Sequence, residues 1–249
     1  MNINNSYFDG LYKDIWRAII PSELTAKETE FVLQYFELKP ADKVMDIMCG
    51  YGRHAIALAR KGMSVTAVDN LKDYINEINK TAREEGLQLK GIQADIVQYQ
   101  IDQQYDLALC MGNSLNFFNA DDAYQILANI HSHLNTTGHL LINTWSLAEI
   151  AIRSFAQRSW NEVDGVKHIC ESQFLFHPTR IESESIFLSS NGAIEKKKAI
   201  DYIFSVAEME ALLARAGFRL TEIFSVPGKK KFSIGEPRAY LIAQKAKKT

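Results

Sequence analysis

The chain has 249 residues, of which 47% are apolar and 23% charged, and its 28 basic residues against 30 acidic ones leave a net charge of −2. This composition excludes general disorder, collagen and a coiled coil, and the near-neutral charge gives no sign of a polyanionic partner. No apolar run approaches the roughly 18 residues that a membrane helix needs, and the first ten residues lack the apolar block of a signal peptide. Because Cys49, Cys110 and Cys170 are scattered and form no CxxC pair, we expect a reduced, cytoplasmic protein without disulfides or a metal site.

The N-terminal stretch, residues 1–24, is rich in aromatic residues and is expected to be irregular. Thr25 and Glu28 have the spacing of a capping box, which predicts that a helix begins there. Apolar residues at helical spacing follow, and Pro40 comes after the predicted end of this helix.

Strands and helices alternate over the next hundred residues. Apolar runs predict strands at 43–49, 64–69, 89–96, 105–111 and 138–145, and helical periodicity predicts helices at 53–61, 71–85 and 121–134. Such an alternation predicts a parallel sheet with helices on both faces. A short helix is expected near residues 147–155.

The pattern changes between residues 158 and 205, where four extended runs are separated by turn residues such as Pro178 and Asn191-Gly192. We expect an antiparallel insertion there, serving as a substrate lid or a dimer surface. Ser205 and Glu208 form a second capping box, and two more strands are expected at 218–226 and 239–243. The prediction is therefore an α/β protein with a doubly wound, mostly parallel, seven-stranded Rossmann-like sheet, formed by residues 1–157 and 206–249.

A Gly-x-Gly turn, Gly50-Tyr-Gly52, joins the first strand to the helix that follows it. Glycine at these positions lets a ligand approach the backbone closely, and the free amides of a helix start favour an anionic group. Asp69 ends the second strand, where a carboxylate can accept hydrogen bonds from two ribose hydroxyls. Together these features predict a site for a nucleoside cofactor.

Two further carboxylates bear on which cofactor binds. The glycine pattern with Asp69 also satisfies the NAD fingerprint. Asp46, however, lies four residues before the first glycine, where it would repel a pyrophosphate and attract an ammonium group. Asp95, at the end of the third strand, can accept from an adenine amine while Ile96 covers a ring face. Taken alone, Asp46 also fits a helix-capping role and Asp95 a solvated turn.

These motifs resemble those of the class I S-adenosylmethionine-dependent methyltransferases. The resemblance covers about residues 40–145 and rests on Asp46-x-x-Cys49-Gly50-x-Gly52-Arg53, Val68-Asp69, Ala94-Asp95-Ile96 and Tyr105-Asp106. The segments that begin at Gly217 and at Arg238 are similar to that family's antiparallel sixth and seventh strands. The cluster Met111-Gly112-Asn113-Ser114 is similar to small-molecule enzymes of the glycine/sarcosine N-methyltransferase type.

The resemblance implies S-adenosylmethionine as the cofactor and a role for each matching residue. It implies that Asp46, Gly50 and Gly52 hold the methionine part, that Asp69 holds the ribose, and that Asp95 and Ile96 hold the adenine. It places Arg53 either against the methionine carboxylate or on the surface, and it places Cys49, Asn70 and Ala94 in the same cofactor site. It implies that Met111 and Asn113 lie near the sulfonium methyl, with Asn113 as a positioning residue of the catalytic site.

We therefore expect an enzyme that transfers a methyl group to a small-molecule acceptor, an amine or a hydroxyl. An NAD-dependent oxidoreductase and a non-catalytic S-adenosylmethionine-binding protein remain alternatives. The expected partners are a small-molecule substrate and no nucleic acid or membrane, in a monomer or homodimer. No side chain stands out as a general base, and His54 is expected to be structural or solvated. The lysine runs at 196–198, 229–231 and 245–248 are expected to be solvated.

Overall fold

The N-terminal stretch is helical rather than irregular. In the computed structural model, which describes residues 2–246, a 3-10 helix at Ile3–Ser6 precedes helix α1 (Leu11–Ile19). Helix α1 is amphipathic, because Leu11 and Ile15 lie one turn apart on the face that packs inward, and Ile15 is only 5% exposed. The expectation of an irregular stretch overlooked this spacing.

Helix α2 (Ser22–Tyr35) begins four residues before the position that the first capping box predicted, since its N-cap lies at residue 21 and not at Thr25. Its N-cap is Pro21, and the side chains of Thr25 and Glu28 both bond to Arg53 instead of to the helix start. The predicted capping box is therefore wrong at this position, because a buried ion pair takes the glutamate. The second capping box, Ser205 with Glu208, is confirmed.

The remaining elements follow the predicted order. The later helices are α3 (Arg53–Arg60), α4 (Lys72–Glu85), α5 (Ala120–Ser132), α6 (Ala148–Ser154) and α7 (Val206–Arg215). The strands are β1 (Lys43–Ile47), β2 (Ser64–Asp69), β3 (Leu89–Gln93), β4 (Tyr105–Cys110), β5 (Leu134–Thr144), β6 (Arg158–Val163), β7 (Val166–Phe176), β8 (Thr179–Ser189), β9 (Ile194–Tyr202), β10 (Phe218–Val226), β11 (Lys230–Lys231) and β12 (Ala239–Lys245).

The main sheet has the strand order β11-β10-β12-β5-β4-β1-β2-β3, and β1 to β5 are parallel. The doubly wound sheet is as predicted, but it has eight strands in place of seven, because two residues of the second lysine run pair with β10. Strand β12 pairs antiparallel with both β5 and β10. It follows that β10 runs in the same direction as β5, so only β12 and the short β11 run against the others.

Helices cover both faces of this sheet, which is why its central strands are apolar without alternation. On β1, Val44 packs into the core beneath α2, α3 and α4, whereas Met45 and Ile47 pack into the core beneath α5, α6 and α7. The sheet is therefore buried on both sides. Within residues 2–246, no helix combines the length and the apolar character needed to cross a membrane.

Strands β6 to β9 form a separate four-stranded antiparallel sheet. Its turns include the predicted positions Pro178 and Asn191-Gly192. Phe187 and Ala199 of this sheet share an apolar cluster with Tyr7 and Ile15 of the N-terminal segment. The insertion thus packs against the first twenty residues of the chain.

Candidate functional site

A cavity opens at the carboxyl ends of β1 to β4, beside the reversal of strand order between β1 and β4. This is where open α/β sheets bind ligands. Its empty volume is about 1020 Å³ including the mouth, which is enough for a small organic ligand. All the predicted site residues except Gly52 and Asn113 line it: Asp46, Cys49, Gly50, Arg53, Asp69, Asn70, Ala94, Asp95, Ile96 and Met111.

The two glycines of the turn have different roles. Both have positive φ, 56° at Gly50 and 77° at Gly52, a conformation that costs other residues free energy. A Cβ atom at Gly52 would lie 2.6 Å from Cγ1 of Ile78, so this glycine allows α3 to pack against α4. A Cβ atom at Gly50 would meet nothing within 4 Å, and this open position beside the cavity is available to a ligand.

Asp69 holds the glycine turn to the start of α4. Its Oδ2 accepts a hydrogen bond from the Gly50 amide at 2.8 Å, and its Oδ1 accepts one from the Leu71 amide at 2.9 Å. Burial raises the pKa of Asp69, and these amide hydrogen bonds act against that rise. Each carboxylate oxygen has a second lone pair, so Asp69 can bind ribose hydroxyls while it supports the turn.

Asp46 is a buried carboxylate with an unused oxygen. It is 1% exposed, and none of the described residues donates a hydrogen bond to its Oδ2. Burial raises the pKa of Asp46 to about 7, although the nearby Arg53 lowers it. Because a buried acceptor without a donor is costly, this oxygen fits the ammonium group of an amino-acid-like ligand.

Arg53 is neither on the surface nor free. Its Nη1 donates to Oε2 of Glu28 at 2.5 Å, and the same carboxylate bonds to Nε2 of His54 at 3.0 Å and accepts from the Tyr240 hydroxyl at 2.6 Å. Burial alone would raise the pKa of Glu28, but His54, Arg53 and Tyr240 outweigh it and lower the pKa to about 2. Glu28 thus fixes the arginine at the cavity wall. Of the two expectations for His54, structural or solvated, the geometry supports the structural one.

Asn113 lies behind the cavity wall. It is fully buried, with a φ of 68°. Its Oδ1 accepts from the backbone amides of Trp145 and Ser146, each at 3.0 Å, and its Nδ2 donates to Oδ1 of Asp201 at 2.9 Å. Asn113 therefore ties the loop after β4 to the end of β5 and to β9, while the residues on either side of it line the cavity.

The N-terminal segment, residues 2–19, forms an aromatic wall of the cavity through Phe8, Tyr12 and Trp16. The Phe8 ring lies 4.7 Å from that of Phe117, and the Tyr74 hydroxyl donates to the Phe8 carbonyl at 3.0 Å. Phe117 and Tyr74 were not predicted as site residues. The helical spacing around Tyr74 indicates core packing, and Phe117 ends a four-residue 3-10 helix that no pattern predicted, so neither was singled out as a ligand contact.

None of the described residues of the insertion lines this cavity; the insertion instead holds the N-terminal segment in place. The Tyr7 hydroxyl lies 3.0 Å from Oγ of Ser185, the Glu195 carboxylate accepts from the Leu11 amide at 3.1 Å, and Lys197 pairs with Asp9. The Lys197 side chain is only 10% exposed. The expectation of a solvated lysine run is therefore wrong at this position.

Other lysines of the three runs form surface ion pairs, as Lys198 does with Glu184 and Lys230 with Glu236. Such exposed pairs contribute little stability. Lys247 and Lys248, the end of the third run, lie outside the described residues.

Part of this chain is similar in sequence to known methyltransferases. Residues 44–138 match the family described as "Methyltransferase domain". A glycine/sarcosine N-methyltransferase from Halorhodospira halochloris is 30% identical over 141 residues, which are 55% of this chain and 52% of that protein. A ubiquinone biosynthesis O-methyltransferase from Rickettsia felis is 29% identical over 102 residues, 41% of each chain. The chain thus spans about half the length, or less, of the curated relatives it matches.

The similarity to solved structures extends over nearly the whole chain. An S-adenosylmethionine-dependent methyltransferase from Clostridium acetobutylicum superposes with a TM-score of 0.82 at 19% identity, covering 95% of this chain and 97% of that one. An amino pentose methyltransferase from Micromonospora echinaspora, solved with S-adenosylmethionine bound, gives 0.71 at 16% identity, covering 96% and 98%. At these identities the likeness shows the fold.

Proposed function

We propose that this chain is a class I S-adenosylmethionine-dependent methyltransferase, as its similarity to a methyltransferase domain and to an N-methyltransferase supports, and that it transfers the methyl group of S-adenosylmethionine to a small-molecule acceptor, most readily an amine. The observation that carries the proposal is the pair of carboxylates at the ends of β1 and β2. Asp46 offers an oxygen with no donor among the described residues, as an ammonium group requires. Asp69 supports the turn and retains lone pairs for two hydroxyls.

The proposed contacts follow from where the side chains lie. Asp46 would bind the ammonium group of the methionine part. Arg53, which Glu28 holds in place, would bind the carboxylate of the methionine part. The open position at Gly50 would leave room for this part, with Gly52 acting through the packing of α3. Cys49 and Asn70 would flank the ribose bound by Asp69. Asp95 would accept from the adenine amine, with Ala94 and Ile96 against the ring and Met111 toward the reacting end.

S-adenosylmethionine, when bound, supplies a methyl group that is already activated by its sulfonium. The protein then has to orient the two reactants and exclude water. Asn113 fixes the loop that carries Gly112 and Ser114 at the cavity, and the aromatic wall from the N-terminal segment covers it. Residues 1–157 and 206–249 would form the cofactor-binding domain, and 158–205 a platform that holds this wall.

An amine fits the site better than a hydroxyl. A neutral amine attacks without losing a proton first, whereas a hydroxyl gains from a general base. His54 is the one histidine among the described residues that line the cavity, and its Nε2 is hydrogen-bonded to Glu28, so it is not available as a general base. The similarity to a glycine/sarcosine N-methyltransferase also supports an amine, while the similarity to ubiquinone biosynthesis O-methyltransferases supports a hydroxyl as the second candidate.

Titration calorimetry tests this function directly. We expect heat of binding with S-adenosylmethionine and S-adenosylhomocysteine and none with NADH. Affinity for NADH without affinity for either sulfur compound would favour an oxidoreductase. Cofactor binding without turnover, in a pool of amine, carboxylate and phenol acceptors, would favour a non-catalytic binding protein.

Replacing Asp69 tests the ribose contact. Asp69→Ala should weaken the binding of S-adenosylhomocysteine at least tenfold, by the loss of about 1.5 kcal/mol or more per charge-assisted hydrogen bond. It should also lower Tm, because the amides of Gly50 and Leu71 lose their acceptor. Asp69→Asn should be milder, since its amide oxygen still accepts. Asp73→Ala, at an exposed position of the same helix start, is the matched control; equal affinity in Asp69→Ala and in this control would place the ribose elsewhere.

Hydrogen exchange tests the aromatic wall. We expect S-adenosylhomocysteine to slow amide exchange at residues 5–20 as well as at 46–54 and 69–71, because Phe8, Tyr12 and Trp16 line the same cavity as the glycine turn. Helix α7, none of whose residues lines the cavity, serves as the internal reference. Protection confined to the turn and the strand ends would contradict a covering role for the N-terminal segment.

A further inference from the structure

A second cavity adjoins the first at the end of β4. Trp16, Arg53 and Gly112 line both cavities, and the second has an empty volume of about 730 Å³ including its mouth. Gly112 has a φ of 74°, and a Cβ atom there would point toward Cζ2 of Trp16 at 3.9 Å. The wall that the two cavities share at Gly112 therefore carries no side chain at this position.

The walls of this second cavity are mainly apolar. Ile19, Ile20 and Leu24 line it from the N-terminal helices, and Pro237 lines it from the loop before β12. Trp145 adds an aromatic surface that continues that of Trp16, with ring centroids 5.7 Å apart. Walls of this kind favour the binding of a ligand with an apolar or aromatic body, because binding removes apolar surface from water.

The charge of the second cavity is positive. Arg53 and Arg238 line it, and no carboxylate does among the described residues. The charge of Arg53 is balanced by Glu28 at 2.5 Å. Arg238 makes no ion pair with any carboxylate of residues 2–246 and lies beside the Tyr240 hydroxyl, whose pKa it acts to lower. One guanidinium thus lies at the wall of an apolar cavity beside the Tyr240 hydroxyl, with no directly paired carboxylate among the described residues.

We propose that the methyl acceptor lies in this second cavity and that Arg238 binds an anionic group on it. The acceptor is then an amine with an apolar or aromatic body and a carboxylate or phosphate. This inference rests on the proposed function. An acceptor with a permanent positive charge would be repelled by Arg238, and glycine would leave the apolar walls uncovered.

Tryptophan fluorescence measures occupancy of the second cavity without turnover, because two of the three tryptophans line it. The protein is saturated with S-adenosylhomocysteine and titrated with 3-phenylpropionate, its neutral amide, phenyl phosphate and acetate. We expect one of the two aromatic anions to bind at least about tenfold more tightly than the amide and than acetate; the tighter of the two identifies the anion. The signal should be reduced in Trp145→Phe, in which Trp16 remains as a reporter, and kept in Trp160→Phe, which alters an exposed tryptophan.

Arg238→Gln provides the decisive variant, with Arg83→Gln on the exposed face of α4 as its control. We expect Arg238→Gln to weaken the aromatic anion about tenfold or more and to leave the amide unchanged, while the control binds as the original chain does. Equal binding of anion and amide, or undiminished anion binding in Arg238→Gln, would overturn the inference. Calorimetry of S-adenosylhomocysteine on the same samples separates the two proposals, because its failure alone removes the proposed function.

Discussion

Asp46→Asn should weaken the binding of S-adenosylhomocysteine about a hundredfold and yet stabilise the ligand-free protein at pH 8 by about 1–3 kcal/mol. The first effect follows because the ammonium group of the ligand would be buried without a counter-charge. The second follows because burial raises the pKa of Asp46 to about 7 from an ordinary 3.8. A carboxyl group with a raised pKa in the folded state destabilises that state once the unfolded chain ionises.

The raised pKa of Asp46 also determines how stability and ligand affinity change with pH. The ionisation of Asp46 removes stability as the pH rises from about 4 to about 7, so the gain of Asp46→Asn in urea unfolding should be small at pH 4.5 and full at pH 8. Affinity for the ligand should fall as the pH drops below 7, because ionised Asp46 binds the ammonium group. Asp102→Asn, at an exposed position, is the control. A ligand affinity in Asp46→Asn like that of this control would remove the assigned role.

Glu28→Ala should destabilise the fold by about 3–5 kcal/mol, the usual effect of removing one partner from a buried ion pair. Arg53, His54 and Tyr240 all bond to this carboxylate, which is 2% exposed. Urea unfolding at pH 7 measures the loss. Glu30→Ala, on the exposed face of the same helix, should change stability by less than about 0.5 kcal/mol, and a similar small loss in Glu28→Ala would mean that the network contributes little.

Acid adds a second readout for Glu28. Its pKa of about 2 lies below the ordinary 4.5, so its contribution is present above pH 4.5 and is lost as the pH falls from 4.5 toward 2. The original chain should therefore lose more stability over this interval than Glu28→Ala does. Parallel losses in the two proteins would contradict the depressed pKa.

The sequence predicted the central sheet and most of the residues that the fold brings to one wall of the cavity, because their signals are local. A strand, a Gly-x-Gly turn, a helix and an acidic residue at the next strand end lie within 24 residues, from Asp46 to Asp69. The hydrophobic runs of β1 and β4 allow few other interpretations. The short motif around Gly50 thus predicts both the type of fold and the position of the candidate site.

The rest of the site depends on contacts between distant segments, which local patterns do not encode. Thr25 and Glu28 satisfy a capping-box spacing, and only Arg53 and Tyr240, brought near by the fold, reveal that Glu28 is an ion-pair partner. Lys197 has the appearance of a solvated hairpin lysine until Asp9 lies against it. Phe117 ends a four-residue 3-10 helix, too short to give a periodic pattern, and its position at the cavity is set by tertiary packing.

The attachment of the N-terminal segment to the insertion also bears on the order of events during synthesis. Tyr7 contacts Ser185, 178 residues later, and Glu28 contacts Tyr240, 212 residues later. A nascent chain that has emerged as far as β5 already holds the strands whose ends carry Asp46 and Asp69, but its N-terminal segment still lacks the contacts that the insertion supplies through Ser185 and Glu195. Long-range closures of this kind form late in folding. Ribosome-bound chains of increasing length should therefore close the cavity only after the insertion has been made. The contact of Glu28, the partner of Arg53, with Tyr240 should form only when the last strand has been made.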